Sequence, residues 1–109
     1  SYLKDANMDS MSWSSIQISI ERAEGSDWSS AEQMTHAVKI VKAIGLMNLF
    51  GIASFSMMKE QLARYAHFAM SIPDADTIIK KLEQFKIIRY AAYKKRVMLF
   101  EGTDTDLEM

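Results

Sequence analysis

ADTIIKKLEQFKIIRYAAYKKRVMLF, residues 75–100, is the stretch whose reading decides the fold. Its first half repeats apolar residues at helical steps, Ala75, Ile78, Ile79, Leu82 and Phe85, which predicts a helix over 75–85 that Asp74 or a neighbour caps. From Ile87 the period drops to two. Ile88, Tyr90 and Ala92 alternate with Arg89, Ala91 and Tyr93, and the run Val97-Met98-Leu99-Phe100 follows a basic tip of Lys94, Lys95 and Arg96. Branched and aromatic residues on both sides of such a tip predict a β hairpin, with strands near 87–93 and 97–101. The tip has no Asn-Gly or Asp-Gly pair, so the register stays open.

Working upstream, Ile72-Pro73 ends a preceding helix, because the residue before a proline is pushed out of helical geometry. That helix is expected over 57–70, with Ser56 as its cap and a stripe of Met58, Leu62, Tyr65, Ala66 and Ala69. A longer helix over 30–50 is apolar on most sides, from Ala37, Val38, Ile40 and Val41 to Leu49 and Phe50, and is therefore expected at the centre of the fold. Asp27, Ser29 and Ser30 supply capping side chains at its start, Ser29 and Glu32 having the spacing of a capping box, and Gly51 is placed to cap its end. Gly45 inside it costs roughly 1 kcal/mol relative to alanine, so a close backbone crossing at that point is expected. Trp13, Ile16, Ile20 and Ala23 share one face of a further helix over 12–24, ending near Gly25, while residues 1–10 read as a lead-in.

Three helices leading directly into a hairpin make a mainly α chain with a small β element, in the order of a winged helix: a helix-turn-helix core plus a wing. The expected division is 1–29, a lead-in and extra N-terminal helix, and 30–109, the winged-helix domain.

The bulk composition agrees with one folded domain. Of the 109 residues, 49% are hydrophobic and 25% charged, outside the range where disorder is expected. With no cysteine there is neither a disulfide frame nor a thiolate metal site, and no long uncharged apolar run suggests a membrane span or signal peptide. A cytoplasmic, reducing setting is the expectation.

Charge is polarised along the chain although the formal total is −1. Residues 1–35 carry −4, residues 36–79 carry +1, and the tail's Glu101, Asp104, Asp106 and Glu108 return −4. Between them Lys80, Lys81, Lys86, Arg89, Lys94, Lys95 and Arg96 face only Glu83, giving +6. Such a segment can attract phosphates or pair with the acidic tail of its own chain. Lys80, Lys81, Lys94, Lys95 and Arg96 are the candidate contact residues for a nucleic acid or a protein partner. Asp74 and Asp76 stand where a groove-reading helix needs donors, which favours a protein partner and leaves nucleic acid as the alternative.

Catalytic chemistry is not legible. His36 and His67 lie in different helices without a cysteine, and the serines cluster where helix caps are needed. The four glycines stand apart, so there is no phosphate-binding loop and no cofactor is expected. The acidic tail lacks the turn glycine and closing glutamate of a calcium loop. Nine methionines suit core filling, with an adaptable binding surface as the second use.

Two stretches, Lys42 to Gly51 (KAIGLMNLFG) and Phe100 to Leu107 (FEGTDTDL), resemble a winged-helix-like segment on the C-terminal side of the P-loop core in large bacterial ATPases. Some of those resemble signal-transducing and phage-defence ATPases. In that family the first motif reads like K-T-I-x-L-L-N-L-F-G and the second like W-E-G-S-D-x-D-L. Ala43, Phe100 and Thr103 depart from the usual threonine, tryptophan and serine while keeping size or polarity. The likeness spans residues 36–108 and implies an accessory, non-catalytic module that couples a nucleotide-driven motor to a partner. The family's nucleotide site would lie upstream of Ser1, so none of its residues transfers, and both ends of the chain read as cuts from a longer protein.

Overall fold

The computed structural model describes residues 2–50, 58–93 and 95–100, the first helix by its backbone alone as far as residue 12. Four helices precede a two-stranded antiparallel sheet: α1 (Tyr2–Glu24), α2 (Ala31–Phe50), α3 (Lys59–Phe68), α4 (Ala75–Gln84), β1 (Ile88–Ala91) and β2 (Arg96–Leu99). Helix α1 starts ten residues before the expected position. Residues 1–24 contain neither proline nor glycine, so nothing stops a helix nucleated around Ile16–Ala23 from propagating toward the N-terminus.

Helix α2 is central, as its apolar girth predicts, and packs on α1, α4 and β2. Its buried residues Ala37, Ile40, Val41 and Ile44 join Leu62 and Ala66 of α3 and Ile78, Ile79 and Leu82 of α4 in one core, which Ile87, Ile88, Val97 and Leu99 close. Gly45 is the crossing point that its unfavourable helix propensity anticipates. A Cβ there would lie 2.5 Å from Ile16 Cγ1 and 3.3 Å from Leu99 Cδ1, so α1 and β2 approach α2 closely where it lacks a side chain.

The cap of α2 sits one residue later than the Ser29/Glu32 spacing suggests. Ser30 is the cap: its carbonyl accepts from Met34 N–H and its Oγ accepts from Gln33 N–H, each at 3.1 Å. Gln33 Oε1 reaches back to accept from Ser29 N–H at 2.9 Å, one residue before the cap, in place of the Ser30 N–H of a regular capping box. Gln33 is buried and Glu32 exposed, so the glutamine points inward, where the backbone donors are. Helix α3 is shorter than expected; Met58 precedes it, and Gln61 Oε1 accepts from the Met58 N–H at 3.1 Å. The caps expected from Ser56 and Gly51 lie outside the described residues. Of the expected α1 stripe, Ile16 and Ala23 are buried but Trp13 is 52% exposed.

Helix α4 ends in a Schellman turn: Ile87 N–H donates to Leu82 O at 2.9 Å and Lys86 N–H to Glu83 O at 3.0 Å. Lys86 takes the left-handed conformation the motif requires, at φ 61°. Buried Ile87 follows, and the chain enters β1 at once. The hairpin pairs Ile88 with Leu99, Arg89 with Met98, Tyr90 with Val97 and Ala91 with Arg96, which settles the register and makes both strands shorter than the sequence pattern suggests. Among the described residues, no helix is long and apolar enough to cross a membrane.

Candidate interaction surfaces

Helix α4 buries Ala75, Ile78, Ile79 and Leu82 and turns its polar residues away from that stripe. Its two neighbouring lysines then diverge, because successive helical residues point about 100° apart. Lys80 stands in solvent and pairs with Asp76 one turn earlier at 3.2 Å. Lys81 is half-buried and turned toward α2: its Nζ donates to Ser29 Oγ at 3.2 Å and Gln33 Oε1 at 3.3 Å, and lies 5.8 Å from the centre of the Trp28 ring. Arg96 is half-buried at the start of β2, and Lys95 is exposed at the turn with φ 54°. Lys94 lies outside the described residues. Lys80 and Lys81 therefore do not act as one basic pair.

Asp74 does not cap α4 with its side chain. Its carboxylate turns to α2, where Oδ2 accepts from Gln33 Nε2 at 3.3 Å and Oδ1 lies 3.8 Å from His36 Nδ1. Gln33 thus uses both ends of its amide, accepting from Ser29 N–H and Lys81 while donating to Asp74. This polar lock joins the start of α2 to α4. Beside it Trp28 donates from Nε1 to Ala23 O at 2.6 Å and packs edge-on against Phe85 at 5.3 Å. Arg22 Nη2 donates to Phe85 O at 3.4 Å, a cation at the carbonyl end of α4, where the helix dipole favours it.

Asn48, within the KAIGLMNLFG stretch, has a structural role that its position in an apolar run only hints at. Its amide Nδ2 donates to Val97 O at 3.4 Å and its Oδ1 accepts from Leu99 N–H at 3.3 Å, so one side chain satisfies the free edge of β2.

Helix α3 packs principally on α4 through Leu62 and Ala66, and apolar side chains on it and just before it stand exposed. Met58 is 46% exposed, Tyr65 41% and Phe68 76%. Phe68 stacks edge-on with His67 at 4.7 Å and borders an open groove of about 280 Å³ whose walls include Ala63, Arg64 and Pro73. His36 and His67 take up separate positions, and no group of three or more His, Cys, Asp or Glu residues gathers among the described residues in a way that could hold a metal. Met47 and Met70 pack against the core, whereas Met58 is exposed. No family model, no curated protein and no solved structure matches this chain.

Proposed function

We propose that the chain is a non-catalytic winged-helix interaction module of a larger ATPase-like protein, mediating protein–protein or interdomain contacts. The order α2, α3, α4, β1, β2 supports the winged-helix assignment, with α4 in the place of the third helix, the hairpin as the wing and α1 as an addition. The resemblance of Lys42–Gly51 and Phe100–Leu107 to the accessory segment of bacterial ATPases supports the parent class.

The observation that carries the protein-binding reading is the chemistry of α4 beside that of α3. A helix that reads a DNA groove offers free donors to phosphates and base edges. Here Lys80 is paired with Asp76, Lys81 is folded onto Ser29 and Gln33, and Asp74 is turned to α2. The adjoining helix instead presents Tyr65 and Phe68, aromatic residues of the kind that anchor protein interfaces.

Duplex titration by fluorescence anisotropy tests the choice. Contact with a phosphate backbone gives an affinity that falls with salt at a log–log slope of about −0.9 per phosphate neutralised. Binding weaker than the ordinary non-specific range at physiological salt is expected. Tight duplex binding that disappears when Lys94, Lys95 and Arg96 are replaced by alanine would establish the nucleic-acid reading instead.

A further inference from the structure

Helices α1 and α2 each leave an exposed stripe that the fold does not use. On α1 it consists of Trp13, Gln17, Glu21 and Glu24, apolar at its first position and acidic at its last two. On α2 it consists of Lys39, Lys42, Leu46 and Phe50, basic at the start and apolar at the end. All eight are exposed, Trp13 at 52%, Leu46 at 39% and Phe50 at 68%. At 3.6 residues per turn each stripe lies within about 80° of arc and runs about 17 Å along its helix. Among the described residues no ion pair within the chain engages Glu21, Glu24, Lys39 or Lys42.

Laid antiparallel, the two stripes match position by position: Trp13 with Phe50, Gln17 with Leu46, Glu21 with Lys42 and Glu24 with Lys39. Steps of four, four and three residues on α1 meet the same steps in reverse on α2. Within the chain, α1 and α2 form an antiparallel pair that touches where Ile16 meets the Gly45 position. Each stripe lies about 100° further round its helix from that contact, in the same sense of winding. In an antiparallel pair this puts both stripes on the same side.

We propose that this side is a homodimer face, on which α1 of one copy lies antiparallel along α2 of a second copy and the reverse contact forms by the two-fold axis. An isologous interface requires that a patch be its own complement, and a pair of helices carrying Trp–Gln–Glu–Glu and Phe–Leu–Lys–Lys in mirrored order meets that requirement. The axis that brings this about runs parallel to the helices and keeps residues at equal height. Such an axis carries over the in-chain register set by Ile16 and Gly45, and the four pairs lie within about 3 Å of it along the helices. The inference is independent of the partner proposed for α3, since it uses a different pair of helices.

Sedimentation of the whole chain across a micromolar series tests it, together with two charge-reversed chains, E21K/E24K and K39E/K42E. The native chain is expected to be a reversible dimer. Each reversed chain places like charges at four contacts, counted over both halves of the two-fold, and its dimer dissociation constant should rise at least about tenfold. Mixed together they bring Lys against Glu at all four contacts, so the mixture should recover a dimer of near-native affinity. A native chain that stays monomeric at every concentration, reversed chains that dimerise like the native one, or folded reversed chains that fail to recover on mixing would each overturn the proposal. A second readout leaves the charges intact: the chain has no cysteine, so mixing Q17C with L46C chains under mild oxidation should give a cross-linked pair faster than either alone. Equal rates would overturn the register.

Discussion

Gly45→Ala puts the packing around the central helix to a direct test. In an open helix this substitution stabilises by about 1 kcal/mol through backbone propensity alone. Here the added carbon meets Ile16 Cγ1 at 2.5 Å, Ile16 Cδ1 at 2.9 Å and Leu99 Cδ1 at 3.3 Å. Ile16 cannot yield cheaply, because its Cγ1 sits next to a branched Cβ with one strongly preferred rotamer in a helix, and the residue is buried. Overpacking a well-filled core costs about 1–3 kcal/mol, so it overtakes the propensity gain and a net loss of about 1 kcal/mol is expected. Ile16→Ala alone should cost about 2–4 kcal/mol as a cavity. In the double variant the new methyl occupies part of that cavity and the clash is gone, so the two losses should fall short of additivity by about 1–2 kcal/mol. Urea unfolding with unchanged m values reads each corner of this cycle. A Gly45→Ala chain that is stabilised by the full propensity term, or a cycle that is additive, would refute the crossing as the reason for the glycine.

Other substitutions probe separate features of the fold. Lys86→Gly should raise stability by about 1 kcal/mol, because Lys86 holds φ 61° at the end of α4 where a side chain is penalised; no gain in the urea midpoint would contradict this. Ser19 is fully buried and its Oγ has no hydrogen-bond partner among the described residues, so Ser19→Ala should stabilise by about 1 kcal/mol in thermal melts, and a loss would reveal a partner for the hydroxyl. Gln33→Ala removes the acceptor for Ser29 N–H and Lys81 and the donor to Asp74, and a loss of about 2 kcal/mol is expected; a change below about 0.5 kcal/mol would show that the lock is ornamental. Calorimetric titration with ATP should give no saturable binding, because the chain contains no phosphate loop.

Periodicity and chemical punctuation made the helices and hairpin legible before the fold was known. Ile78, Ile79 and Leu82 are buried together because three- and four-residue steps place them on one side of α4 in any helix. Gly45 announced a crossing because a glycine in a helix interior is costly without a neighbour that needs the space. The passage from Phe85 to Ile88 was legible for a similar reason, since both the change of period and the turn are properties of adjacent residues.

Other features depended on residues far apart in the chain. Lys80 and Lys81 read as one basic pair, but α4 sends the first to Asp76 and the second to Ser29 and Gln33, some fifty residues upstream. Neither Gln33 nor Asn48 carries a local signal for its partners, Asp74 and Lys81 in one case and Val97 and Leu99 in the other. The start of α1 and the exact cap of α2 are not fixed by local signals: no proline or glycine marks a boundary before Trp13, and the neighbouring serines Ser29 and Ser30 satisfy the capping chemistry equally well. Local spacing determines which face of an element is apolar. What meets that face, and which polar groups are left for a partner, follows only once long-range packing has consumed the rest.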